Sequence, residues 1–181
     1  VVKSGIICFF LLHLIIDSTE MKDNYQFAGE YECKLDAKGR VKIPAALVAQ
    51  ISAVKPFEFT MNRGFEKHLM LYPKVVWDKK TKEINQLNIY NTKHRQAIRY
   101  FYRGATKITA DSTERILLPK NLIEYAGITK DIVLFAYHEQ IEIWSKEVYE
   151  KVIGEEPEDF STLADEIFGN VSIPDSISDN E

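Results

Sequence analysis

The chain has 181 residues, 45% of them hydrophobic, with a formal net charge of −4 and a pI near 5.7. It is long enough for one domain with a real core, and its overall charge taken alone argues against a nucleic-acid partner. The distribution reverses that reading: residues 21–153 hold 22 Lys/Arg against 16 Asp/Glu, whereas residues 154–181 hold nine acids and no Lys or Arg, a basic body beside an acidic tail.

Residues 1–20 contain an apolar run from Ile6 to Ile16, broken only by His13 and preceded by Lys3. The run is too short to span a bilayer. No small-x-small cleavage site follows it, and Asp17-Ser18-Thr19-Glu20 leads straight to Met21. We expect an extension upstream of a start at Met21, and a cytoplasmic protein. The two cysteines, Cys8 and Cys33, show no CxxC or metal-like spacing, which fits a reducing compartment without a disulfide framework.

From Gly29 to Asp36, apolar and charged residues alternate, with Tyr31, Cys33 and Leu35 on one face. This predicts a half-buried strand with Cys33 in the core. Ala37-Lys38-Gly39 makes a turn, with Gly39 suited to a positive φ. Val41 and Ile43 then point inward while Arg40 and Lys42 point outward, and Pro44 opens a short helix over 45–51. Phe57, Phe59 and Met61 alternate in a further strand, Asn62-Arg63-Gly64 turns, and 69–72 returns as its partner. A helix begins near Pro73 with Val75, Val76 and Trp77 on its buried side. Another covers 93–102, packing Ile98, Phe101 and Tyr102 and showing Arg95, Arg99 and Arg103 as a basic face.

The plan then repeats. Asp36-Ala37-Lys38-Gly39-Arg40-Val41-Lys42-Ile43-Pro44 is echoed 75 positions later by Asp111-Ser112-Thr113-Glu114-Arg115-Ile116-Leu117-Leu118-Pro119, an internal duplication. Gly29 matches Gly104 and Leu47 matches Leu122 at the same offset. Thr106, Ile108 and Ala110 should face inward, as should Ile116 and Leu118. A helix is expected over 120–126, a hairpin around His138-Glu139, and an amphipathic helix after Ser145 that carries Val148, Tyr149 and Val152. The acidic stretch keeps a helical pattern at Phe160, Leu163, Ile167 and Phe168.

Enzymatic constellations are hard to find. His13, His68, His94 and His138 share no ligand spacing, and no phosphate loop, nucleophile elbow or HExxH occurs. No metal, cofactor or catalytic residue is expected. Asp36 and Asp111 could form a carboxylate pair, but each has an arginine four residues on, which favours orientation of that arginine over acid/base work. Lys34, Lys38, Arg40 and Lys42 form a compact cationic cluster able to grip phosphate or read guanine. Ordinary solvated strand charges are the plainer explanation for one such loop; duplication favours binding.

Gly29-Glu30-Tyr31, the Asp36–Arg40 motif with its strand ending at Pro44, and the second Asp-x-x-x-Arg before Ile116-Leu117-Leu118-Pro119 together resemble the MraZ family. These bacterial regulators stand at the head of the division and cell-wall gene cluster and are built from two SpoVT-AbrB-type units. The resemblance covers about residues 25–153. It implies an α+β fold: an AbrB-like swapped-hairpin (double-split) β-barrel formed by two tandem repeats with flanking helices. The expected segments are an extension over 1–20, a first repeat over 25–74, a helical linker over 75–103, a second repeat over 104–147, and a C-terminal helix and acidic tail over 148–181.

The resemblance further implies a ring-shaped homo-oligomer that binds double-stranded DNA at promoter repeats, usually as a repressor, at the nucleoid and away from membranes. DNA would meet Lys38 and Arg40, helped by Lys34 and Lys42, with Arg115 adding a weaker contact. Asp36 and Asp111 would orient the arginines. Two departures set the halves apart. Thr113 and Glu114 stand where the first loop has Lys38 and Gly39, and Leu117 replaces Lys42, so Leu117 is expected in a subunit or inter-repeat contact. The alternatives are an AbrB-like antitoxin or protein-binding scaffold and, far behind, an enzyme using Asp36 with Asp111.

Overall fold

The computed structural model describes residues 25–51, 53–154 and 167 of two compact units, 1–149 and 150–181. The expectations for residues 1–20 and for Phe160, Leu163 and Phe168 lie outside the described residues; Ile167 is helical and exposed. In chain order the elements are β1 (Phe27–Lys34), β2 (Arg40–Lys42), α1 (Ala45–Val48), β3 (Glu58–Arg63), β4 (His68–Pro73), α2 (Lys74–Ile84) and α3 (Thr92–Phe101). They continue with β5 (Thr106–Thr109), β6 (Arg115–Leu117), α4 (Lys120–Ala126), β7 (Asp131–His138), β8 (Gln140–Ser145) and α5 (Lys146–Val152).

The result is a mixed α/β protein with an antiparallel sheet and few helices. Six strands form one sheet in the order β1-β7-β8-β4-β3-β5, and β2 pairs with β6 in a separate ribbon. The two repeats are joined by exchange: β1 of the first lies on β7 of the second, β5 of the second lies on β3 of the first, and β4 meets β8 in the middle. Among the described residues, the strands of the swapped-hairpin β-barrel expected from the family resemblance do not close into a barrel. The six-stranded ladder ends at β1 on one side and β5 on the other, and β2 pairs with β6 in the separate ribbon.

The core follows the duplication. Val41 and Ile116, Ile43 and Leu118, and Leu47 and Leu122 are equivalent at the 75-residue offset, and each is no more than 2% exposed. Pro44 precedes α1, which spans only four residues instead of the seven expected. Pro119 precedes α4, which ends at Gly127 in the left-handed region (φ 62°), where glycine carries no Cβ penalty. In α3, Asn91 caps the N-terminus by accepting from the backbone N–H groups of Lys93 and His94. Phe101 stacks on Trp77 at 5.1 Å between centroids, and Tyr102 meets Trp77 edge-on at 5.8 Å.

β4 departs from simple alternation. All six of its residues are buried, because β3 and β8 flank it and both faces are covered. His68 is therefore interior. Its ring stacks on Trp144 at 4.2 Å, and Glu142, nearby, accepts hydrogen bonds from the Tyr137 hydroxyl (2.7 Å) and the Trp144 indole N–H (2.8 Å). Burial pushes the His68 pKa below its ordinary 6.5, against the opposing pull of Glu142 and Glu66. The unfolded chain thus takes up a proton more readily than the folded one. This contribution to stability is complete above about pH 6.5 and is lost as pH falls below it. The urea midpoint is expected to drop between pH 7.5 and 5.5, with a shallower drop in His68→Phe; equal slopes would exclude His68 as the cause.

Candidate nucleic-acid interface

The two Asp-x-x-x-Arg loops share one backbone design. The Asp36 N–H donates to the Arg40 carbonyl and the Asp111 N–H to the Arg115 carbonyl, both at 2.8 Å; Gly39 and Glu114 donate back to the carbonyls of Asp36 and Asp111, both at 2.9 Å. Each loop is also tied to the other repeat, since Ile43 N–H donates to the Glu114 carbonyl and Leu118 N–H to the Gly39 carbonyl, again at 2.9 Å. The turn requires a left-handed residue in fourth place. Gly39 supplies it at φ 78°, whereas Glu114 adopts φ 63° despite its Cβ.

The β2–β6 ribbon sets opposite one another Arg40 and Leu117, Val41 and Ile116, and Lys42 and Arg115. The middle pair is wholly buried, so period-two alternation turns the other four side chains to the outer face. Arg40 is braced there: its Nε–H and an Nη2–H both reach Asp36 Oδ2, at 2.8 and 2.7 Å, while Asp36 Oδ1 accepts from the backbone N–H groups of Lys38 and Arg40. These donors, the Arg40 backbone N–H foremost and its guanidinium next, hold the Asp36 carboxyl down at about 2. Asp111 is also lowered, first by the Thr113 hydroxyl and then by the Arg115 backbone N–H. Among the described residues, no acidic side chain pairs with Arg115, Lys38 or Lys42, while Glu114 is taken up by Lys55 at 2.6 Å.

Lys34 stands apart from this ribbon, on β1 opposite Asp131, with which it makes a 3.7 Å ion pair. Leu117 does pair across the repeats through the backbone, but its side chain is 55% exposed. Arg95 is spent on structure, donating to the Ile89 and Tyr90 carbonyls just before α3. Cys33 is half-buried beside the core, and burial raises its thiol pKa. Asp36 and Asp111 each accept the donors of their own loop, which suits orientation better than proton transfer.

A duplicated loop, exchanged strands and a shared ribbon with a cationic outer face define a tandem-repeat protein whose two units complete one surface. The family described as "MraZ protein, putative antitoxin-like" matches this chain over residues 26–99 and again over 101–171. The chain belongs to the MraZ family. Similar curated proteins include the transcriptional regulator MraZ of Flavobacterium psychrophilum, 43% identical over 145 residues (80% of this chain and 92% of that protein). Those of Christiangramia forsetii and Cytophaga hutchinsonii are 40% and 33% identical, covering 78% and 77% of this chain and 92% of each relative. Among the described residues, no helix is long and apolar enough to cross a membrane.

Proposed function

We propose that this chain is a sequence-specific DNA-binding transcriptional regulator. It acts as a ring-shaped homo-oligomer on repeated promoter elements of the division and cell-wall gene cluster, as a repressor, in the cytoplasm at the nucleoid. The observation that carries this reading is the outer face of the ribbon: Arg40, Lys42 and Arg115 project from one two-stranded element, with Lys38 on the adjoining loop. A two-stranded ribbon fits the major groove, where arginine meets guanine O6 and N7 and lysine meets phosphate. The brace takes Arg40 Nε–H and one Nη2–H and leaves Nη1 and the second Nη2–H for that contact. Asp36 orients the Arg40 guanidinium, Asp111 orders the backbone of its own loop, and both stay off the phosphates, which would repel them. Lys34, exposed beside Asp131, reaches the backbone at the margin.

The strand exchange is consistent with a swapped-hairpin arrangement of AbrB type, assembled from repeats over 25–74 and 104–147, a linker over 75–103 and a tail over 148–181. One chain offers a small contact area, so affinity comes from several subunits engaging repeated sites on one duplex. The test is the salt dependence of binding to duplex DNA from upstream of the chain's own gene. With four cations per engaged chain, log K is expected to fall against log salt with a slope of roughly −3 to −4 per chain. A flat slope, or absence of DNA binding with a co-purifying protein in its place, would overturn this reading in favour of a protein-binding module.

A further inference from the structure

We infer that Leu117 reads the C5-methyl group of a thymine next to the base that Arg40 contacts, so that each chain recognises an asymmetric DNA element in one orientation. The inference rests on the DNA-binding reading above and adds a specificity-determining residue to the same surface. Leu117 occupies an outward position of an otherwise cationic ribbon and is 55% exposed. Its Cα partner is Arg40, and side chains directly opposed across antiparallel strands start about 5 Å apart. Base pairs stack roughly 3.4 Å apart along the duplex. The two side chains of this pair therefore reach the same or adjacent base steps.

The chemistry narrows the target. Leucine has no hydrogen bond to give, and pressing it against phosphate would strip water from a charge without return. The apolar feature that the major groove offers is the thymine methyl. Arg40 is fixed in place by Asp36, so the position of its neighbour on the bases is fixed too. At the other end of the ribbon the equivalent pair is Lys42 with Arg115, two cations and no apolar group. The duplication would otherwise make the ribbon two-fold symmetric. Leu117 breaks that symmetry and assigns base reading to the Arg40 end, phosphate clamping to the Arg115 end.

The experiment begins with selection of a binding site from randomised duplexes by the full-length protein. Affinity is then measured for the selected duplex and for versions with each thymine replaced singly by deoxyuridine, which lacks only the methyl. Wild type is expected to lose about fourfold per engaged chain, the worth of one buried methyl group, at one thymine on one side of the element. Leu117→Ala should bind the thymine and uracil duplexes equally. Wild type indifferent to every uracil, or Leu117→Ala with the full uracil penalty, overturns the role of Leu117 while leaving DNA binding intact. Leu117→Ala with an altered oligomeric state in light scattering overturns it in favour of subunit packing. Failure to select any site overturns the DNA-binding reading and this inference with it.

Discussion

Arg40→Ala is expected to abolish specific DNA binding while the protein stays folded and assembled. A well-placed arginine fork on guanine is worth about 1–3 kcal/mol, or roughly fivefold to 150-fold per engaged loop, and engagement of several subunits multiplies that loss. Truncation also releases Asp36 from its guanidinium partner, leaving a carboxylate that faces phosphate with only backbone donors. The fold should be spared, because the side chain is part-exposed and the loop keeps its backbone hydrogen bonds. A change in Tm of about 2 °C or less is the expectation for such a surface site. Fluorescence anisotropy on the promoter duplex, with light scattering as the control for assembly, measures both quantities. Arg115→Ala should cost less, since Arg115 has no carboxylate brace on its side chain and stands beside Lys42, which can keep the phosphate contact. Undiminished affinity in Arg40→Ala would remove Arg40 from the interface.

Local features were legible in the sequence wherever one face is wet. Tyr31, Cys33 and Leu35 alternate against charges because β1 is an edge strand with one covered face, and their half-burial matches. Helix α4 could be bounded to the residue because Pro119 and Gly127 punctuate it. The buried status of Val41, Ile43, Ile116 and Leu118 followed from alternation around the motif. What alternation could not supply is partnership. The strand, turn and strand of β1 and β2 name no partner by themselves, and each pairs with the other repeat, an exchange expected only from the family resemblance. For the same reason the sequence gives no sign that Leu117 faces Arg40, or that Lys34 meets Asp131. The interior place of His68 could not be read from spacing, because it depends on the burial of every residue of β4. The basic face of α3 was overcounted, because an arginine at helical spacing can as well cap the preceding turn, as Arg95 does.

Ile116→Ala is expected to have the largest effect on stability and to remove DNA binding by a different route. Ile116 is fully buried beneath the ribbon and lies opposite Val41, which is also fully buried. Deleting three side-chain carbons from such a site costs about 2–5 kcal/mol in transfer and cavity terms, which lowers Tm by roughly 10 °C in a body of this size. The ribbon has only three residue pairs, so loosening its central pair frees both flanking pairs, and with them the carbonyls of Gly39 and Glu114 that tie each loop to the other repeat. Arg40 and Arg115 then lose their fixed spacing, and affinity falls even though every cation is still present. Ile116→Val, which removes one methylene for about 1 kcal/mol, should lower Tm slightly and keep binding. Calorimetry with anisotropy separates the cases: Arg40→Ala loses binding at constant Tm, Ile116→Ala loses both, and Ile116→Val keeps binding. A normal Tm in Ile116→Ala would mean that the ribbon is not anchored through its central pair, and the fixed spacing of the two arginines would then need another cause.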